Sequence, residues 1–216
     1  MSAAARFNMI EAQIRPSNVT DPRIHAAMAE VARERFVPTA SKALAYADVP
    51  VPLAPGRFLM DPRNFAKLLQ LAGINAGDRV LDVGCGTGYS AAVLARLAGQ
   101  VVALEQDADL VRAASELLAT AVGNIAVTQG ALIEGFKGNA PYDVIFVNGA
   151  ISAAPDTLLK QLAEGGRLVA VVAEGAGGQG RAHLFLKERG VVGSRPDFDA
   201  DVPLLAGFKK AAGFIF

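Results

Sequence analysis

The stretch Val80-Leu81-Asp82-Val83-Gly84-Cys85-Gly86-Thr87-Gly88-Tyr89-Ser90 joins an aliphatic strand, through three closely spaced glycines, to a helix-compatible run over Tyr89 to Ala98. Glycine lets a backbone turn sharply and approach a ligand where a Cβ would collide. The helix that follows points unpaired N–H groups and a positive dipole end at the same place. The spacing is G-x-G-x-G, with Tyr89 three residues after Gly86, and so departs from the dinucleotide fingerprint G-x-G-x-x-G. Asp82, two residues before the first glycine, would repel a pyrophosphate and suits a ligand with an ammonium or sulfonium charge. A second apolar strand, Val101 to Leu104, then delivers Glu105 roughly 20 residues past the glycines, where a carboxylate can accept from both hydroxyls of a ribose.

The elements that must position these residues read as alternating α/β from Asp78 onward. Strands are predicted over Arg79–Val83, Val101–Glu105, Ile125–Gln129, Tyr142–Val147 and Arg167–Val172, each a near-continuous Val/Ile/Leu run of the kind buried parallel strands carry. Helices are predicted over Tyr89–Ala98, about Ala108–Ala121 (closed by Gly123) and Asp156–Ala163 (stopped by Gly165-Gly166). Two weaker strands are expected at Ala182–Lys187 and Ala206–Ile215. Glu174 to Gly180 lacks the Lys-Ser/Thr ending of a phosphate loop and reads as a flexible connection.

The first 75 residues read differently. Asp21-Pro22 and Asp61-Pro62 are each an N-cap followed by proline at the first helical position, and open two helices. Between them, Ala45 to Pro55 is proline-rich and reads as extended. The expected organisation is an N-terminal helical and extended substrate-side segment, residues 1–75, and one compact cofactor-binding unit, residues 76–216.

In an open parallel sheet ligands bind beyond the C-terminal strand ends at the switch point. That gathers Asp82, Gly84, Cys85 and Gly86 after the first strand, Glu105 and Gln106 after the second, Gly130, Ala131 and Leu132 after the third, and Asn148 after the fourth. Cys85 is expected to be a small turn residue, since no histidine is near it in sequence. His25 and His183 are expected in ordinary structural places, and no metal-ligand spacing occurs.

The chain has 216 residues, is 52% hydrophobic, and balances 21 Lys and Arg against 21 Asp and Glu. Neutrality weakens a nucleic-acid role, and no Asn/Asp-Pro-Pro-aromatic run follows the fourth strand to stack a flipped base. No apolar run approaches the ~20 residues of a membrane span. No secretion signal is visible, and the single cysteine fits a reducing cytoplasm. No internal repeat or heptad pattern occurs.

The combination of Asp82, the glycine turn and Glu105 resembles the S-adenosylmethionine site of class I methyltransferases. The N-terminal half resembles one family within them, the protein-L-isoaspartate O-methyltransferases. The shared motifs are Met9-Ile10-x-x-Gln13-Ile14, Asp21-x-Arg23-Ile24-x-x-Ala27-Met28, Arg35-Phe36-Val37-Pro38, Ala45-Tyr46-x-Asp48-x-Pro50-x-Pro52, Ala140-Pro141-Tyr142-Asp143 and Gln161-Leu162-x-x-Gly165-Gly166-Arg167-Leu168-Val169. The resemblance implies a Rossmann-like α/β fold, a mostly parallel sheet with helices on both faces and an N-terminal helical extension. It also implies S-adenosyl-L-methionine as cofactor and methyl esterification of the α-carboxylate of isoaspartyl residues in damaged proteins.

The family signature Gly-x-Thr-Ile-Ser-x-Pro reads here Gly56-Arg57-Phe58-Leu59-Met60-Asp61-Pro62, so the threonine position is Phe58 and the serine position Met60. The usual Gly-Asp-Gly of the third loop is Gly130-Ala131-Leu132. Arg57, Phe58, Leu59 and Met60 are therefore expected to line the acceptor pocket. The acceptor is expected to be a protein or peptide carboxylate or an anionic small molecule met by Arg57 or Arg63. The alternative is a non-catalytic relative that binds the cofactor or a nucleoside in a regulatory or interaction role.

Overall fold

The computed structural model describes residues 2–120, 123–174 and 179–208. Its centre is a seven-stranded sheet of β3 (Arg79–Val83), β4 (Gln100–Glu105), β5 (Ile125–Gln129), β6 (Tyr142–Ile151), β7 (Leu162–Ala173), β8 (Gln179–Glu188) and β9 (Val191–Asp201), in the order β5-β4-β3-β6-β7-β8-β9. β5, β4, β3, β6 and β7 run parallel, and β8 and β9 add antiparallel at the edge. Strand order reverses between β3 and β6, so the crevice at their C-terminal ends is the switch point. A separate hairpin pairs β1 (Val51–Ala54), inside the segment expected to be extended, with β2 (Arg57–Leu59), just after it. Pro55-Gly56 turns it, with Gly56 at φ +68°, as proline and then glycine do at the centre of a tight turn.

The helices are α1 (Ser2–Met9), α2 (Pro22–Glu30), α3 (Pro62–Ala72), α4 (Tyr89–Leu94), α5 (Ala108–Leu118) and α6 (Asp156–Leu159), with short single turns between several of them. Asp21, Asp61 and Asp107 cap α2, α3 and α5 by accepting from backbone N–H groups in the first turn. Alternation along the strands builds two cores, one on each face of the sheet. Val80, Val101, Val144, Phe146 and Val169 face the N-terminal segment, packing with Ile14, Met28, Phe65 and Leu69. Leu81, Val83, Val102, Leu104, Ile145 and Leu168 face Leu132, Leu158 and Leu162 on the other side.

Several expected boundaries move. α4 stops at Leu94, and the turns after it present the Ala95 and Ala98 carbonyls to Asn124 Nδ2 at 3.0 and 3.1 Å. α6 stops at Leu159 because the chain joins the sheet at once: Tyr142 N donates to Gln161 O at 2.8 Å, and Leu162 pairs with Tyr142. β7 accordingly begins at Leu162 and β6 continues to Ile151. β9 was not expected, since Gly193, Pro196 and four acidic or basic residues obscure it; such a composition belongs on an edge strand. Of the strand expected over Ala206–Ile215, residues 206 and 207 form a turn and 209–216 lie outside the described residues, as do residues 121–122 and 175–178.

Candidate functional site

The glycine turn folds as its composition requires. Gly84, Gly86 and Gly88 have φ of +77°, +58° and +97°, a region that side-chain-bearing residues rarely adopt. The turn is docked on β4 by Gly84 N and Cys85 N, which donate to Leu104 O at 2.8 and 3.2 Å. Thr87 Oγ1 donates to Phe36 O at 2.5 Å, tying the turn to the N-terminal segment. Beneath α4, Phe36, Tyr89, Phe65 and Phe146 form a column of tilted rings with centroids 5.5–5.7 Å apart.

Two acids stand at the strand ends. Asp82, fully buried on β3, accepts from Ser90 Oγ at 2.7 Å and from Asn148 Nδ2 at 2.5 Å, so it bridges α4 and β6. Burial pushes its carboxyl up to about 7, and the nearby Glu105 charge adds to the rise, while the two hydrogen bonds oppose it. Glu105, also fully buried, ends β4. Its Oε1 accepts from Gln106 N at 2.8 Å and Asp107 N at 3.2 Å; its Oε2 accepts from Gly86 N at 2.9 Å and from the Arg57 guanidinium. Three backbone N–H groups from two segments, and one guanidinium, are thus aimed at one carboxylate.

The other expected residues are distributed around this centre. Gln106 is exposed, and its carbonyl accepts from Gln129 Nε2 at 3.4 Å. Gly130 N donates to Glu105 O at 3.0 Å, which places the third loop beside the second, with Ala131 exposed. Leu132 turns the other way, into the core behind the sheet. Cys85 is buried, and burial raises its thiol well above the usual range, so it offers no thiolate. His25 is bound to Val19 O at 2.8 Å, and His183 stacks on Phe185. Among the described residues no cluster of metal ligands occurs, and no helix is long and apolar enough to cross a membrane.

Leu59 and Met60 are buried, Phe58 half-buried. Arg33, fully buried, holds this stretch: its Nε donates to Ala45 O at 2.6 Å and its Nη2 to Met60 O, with the guanidinium 4.8 Å from the Tyr89 ring centroid. Arg57, Arg63 and Lys67 do not form one basic patch. Arg57 turns inward to Glu105, Arg63 pairs with Asp48 at 3.2 Å, and Lys67 sits 3.9 Å over the Phe198 ring. Ser90 and Leu205 were not foreseen. Ser90 carries a weak signal, a hydroxyl in the first turn after the glycines; Leu205 carries none. It reaches the site because residues 203–205 pair beside β6, with Ala150 N donating to Pro203 O at 2.9 Å and Leu205 N to Ala150 O at 2.8 Å.

The family profile described as Protein-L-isoaspartate(D-aspartate) O-methyltransferase (PCMT) matches residues 4–196. The chain belongs to this family. A Methylorubrum populi protein-L-isoaspartate O-methyltransferase is 40% identical over 98% of the chain and 100% of its own length. Protein-L-isoaspartate O-methyltransferase 1 of Rhodopseudomonas palustris is 42% identical over 77% of the chain and 69% of its own length. A solved protein-L-isoaspartate O-methyltransferase superposes over 96% of the chain with a TM-score of 0.79 at 26% identity; the chain spans 66% of that structure's length. A Plasmodium falciparum structure in complex with S-adenosyl-L-homocysteine shares the fold, with a TM-score of 0.77 over 94% of the chain and 97% of its own length at 21% identity. The protein-L-isoaspartate O-methyltransferases are S-adenosylmethionine-dependent methyltransferases of the class I fold, and the sheet described above is theirs.

Proposed function

We propose that this chain transfers a methyl group from S-adenosyl-L-methionine to a carboxylate on a protein or peptide. The cofactor side is Asp82, Gly84, Cys85, Gly86, Glu105, Gln106, Gly130, Ala131, Leu132 and Asn148, and the acceptor side Arg57, Phe58, Leu59 and Met60. Glu105 carries the reading: a buried carboxylate at a strand end beside the glycine turn, at the sheet's switch point. The chain's own packing requires glycine at this turn. A Cβ at Gly84 would lie 3.1 Å from Arg57 Nη2 and 3.2 Å from a Leu205 methyl, and one at Gly86 2.7 Å from a Leu53 methyl. These glycines are surfaces against which other atoms press closely.

The cofactor supplies a methyl group already activated on sulfonium sulfur. The protein's share is then orientation and exclusion of water. A carboxyl acceptor of ordinary pKa, about 4, is ionised at neutral pH and needs no general base. That matches a site with no free histidine or thiolate, in which Asp82 is occupied in joining Ser90 to Asn148. Leu132 contributes through packing.

A small anionic acceptor is the second reading, favoured by the bulk of Phe58 and Met60 where the resemblance expects Thr and Ser. In this arrangement Arg57 is held by Glu105 and Arg63 by Asp48, and the peptide reading stands ahead on the family match along residues 4–196. A radiolabelled methyl-transfer assay decides. Transfer to an isoaspartyl peptide above its aspartyl counterpart is the expected result. Transfer only to small dicarboxylates would install the second reading, and cofactor binding without transfer to any cell-extract component would make the chain a non-catalytic binder.

A further inference from the structure

Glu105 has no acceptor capacity to spare. A carboxylate offers about four acceptor positions, and here Gly86 N, Gln106 N, Asp107 N and Arg57 each take one. Three of these donors are backbone and fixed by the fold. The fourth is the end of a long side chain, carried at the tip of the β1–β2 hairpin. The cavity bounded by Gly56, Arg57, Phe58, Met60, Asn148 and Leu205 has a volume of about 10 Å³, room for about one water molecule. Leu53 and Leu205 press on the same glycine turn from either side.

On the reading that this crevice takes S-adenosyl-L-methionine, we propose that Arg57 is a latch on it. The guanidinium holds the one acceptor position of the carboxylate that the fold leaves exchangeable, so a ribose hydroxyl binds there only by exchange with Arg57, and residue 57 sets cofactor affinity. Arg57 is 5% exposed, yet its Nε has no hydrogen-bond partner. A buried donor left unpaired disfavours the closed arrangement and keeps it within reach of exchange. The hairpin is built to release it. Among the described residues it pairs with no other strand, so Val51 and Leu59 anchor its base in the core while no sheet hydrogen bond holds its tip. Gly56 at its tip has open space where a Cβ would stand. Its base is fixed by the Arg33 contact with Met60 O, so the tip swings while the floor of the acceptor side stays in place.

Affinity for a ligand that binds only the open arrangement is reduced by the fraction of molecules that are open. Calorimetric titration of S-adenosyl-L-homocysteine into the native chain, Arg57→Ala and Arg57→Gln tests this without any turnover. Both variants should bind about tenfold more tightly than the native chain. Should either fold poorly, the native chain serves alone: by stopped flow its association rate should level off with ligand concentration, because opening sets the ceiling. Folded variants that bind equally or more weakly, or a native rate that climbs linearly without limit, would overturn the latch while leaving the cofactor site intact. Absence of binding to all three chains would remove both the latch and the cofactor reading.

Discussion

Asp82 and Glu105 are both buried acids at the ends of neighbouring strands, yet the protein surrounds them differently. Glu105 meets three backbone donors and a guanidinium; Asp82 meets a hydroxyl and an amide. The carboxyl of Asp82 is accordingly raised to about 7 by burial, above an unfolded value of about 4. Below about pH 4 both states hold the proton and the contribution is complete. As pH climbs toward about 7 the unfolded chain releases that proton first, so stability falls through this window and levels off beyond it. Asp82→Asn removes the titration and keeps the shape. Urea midpoints of the native chain should drop relative to the variant between about pH 4 and about pH 7; parallel profiles would show that Asp82 is ionised throughout. The residues of this centre were legible because their types and spacing are chemical: an acid, a glycine turn, an acid one strand later. The direction of Arg57 was not, since a sequence shows that a guanidinium is near a site but not which carboxylate it will meet. Ser90 was overlooked for a related reason, as hydroxyls in a first helical turn are common.

Among the elements, the helix starts at Asp21-Pro22 and Asp61-Pro62 were readable because capping is local chemistry between adjacent residues. The β1–β2 hairpin and β9 were not: each pairs with its immediate neighbour in sequence, but Pro52, Pro55 and Gly56 in the first, and Gly193, Pro196 and three aspartates in the second, mask the strand pattern. The hairpin's position depends on a residue outside it. Arg33 satisfies the carbonyls of Ala45 and Met60 in a fully buried place. Arg33→Met should leave both without a donor and cost on the order of 2–6 kcal/mol, at about 1–3 kcal/mol for each buried group left unpaired. Denaturant unfolding checks this, and a loss below about 0.5 kcal/mol, the range of ordinary surface changes, would mean that the stretch is held by packing alone. Because Met60 lies on the proposed acceptor side, the same variant should lose methyl transfer to peptide more than it loses affinity for S-adenosyl-L-homocysteine.

For the molecule as a whole, the parallel core of the sheet followed from its apolar runs, and family membership from motifs spread along most of the chain. The closure of the crevice came from tertiary structure alone: a hairpin on one side and residues 203–205 on the other converge on the same turn across the switch point. A single relation underlies the functional account, that the Glu105 carboxylate is the group to which the ribose of an adenosyl ligand binds. Glu105→Gln in the native chain would also free Arg57, so the clean comparison is made after that side chain is gone. Titration of S-adenosyl-L-homocysteine into Arg57→Ala and into Arg57→Ala with Glu105→Gln should show binding weakened about tenfold by the second change, the difference between a charged and a neutral acceptor. Equal affinities in the two proteins, or no binding to either, would contradict the assignment.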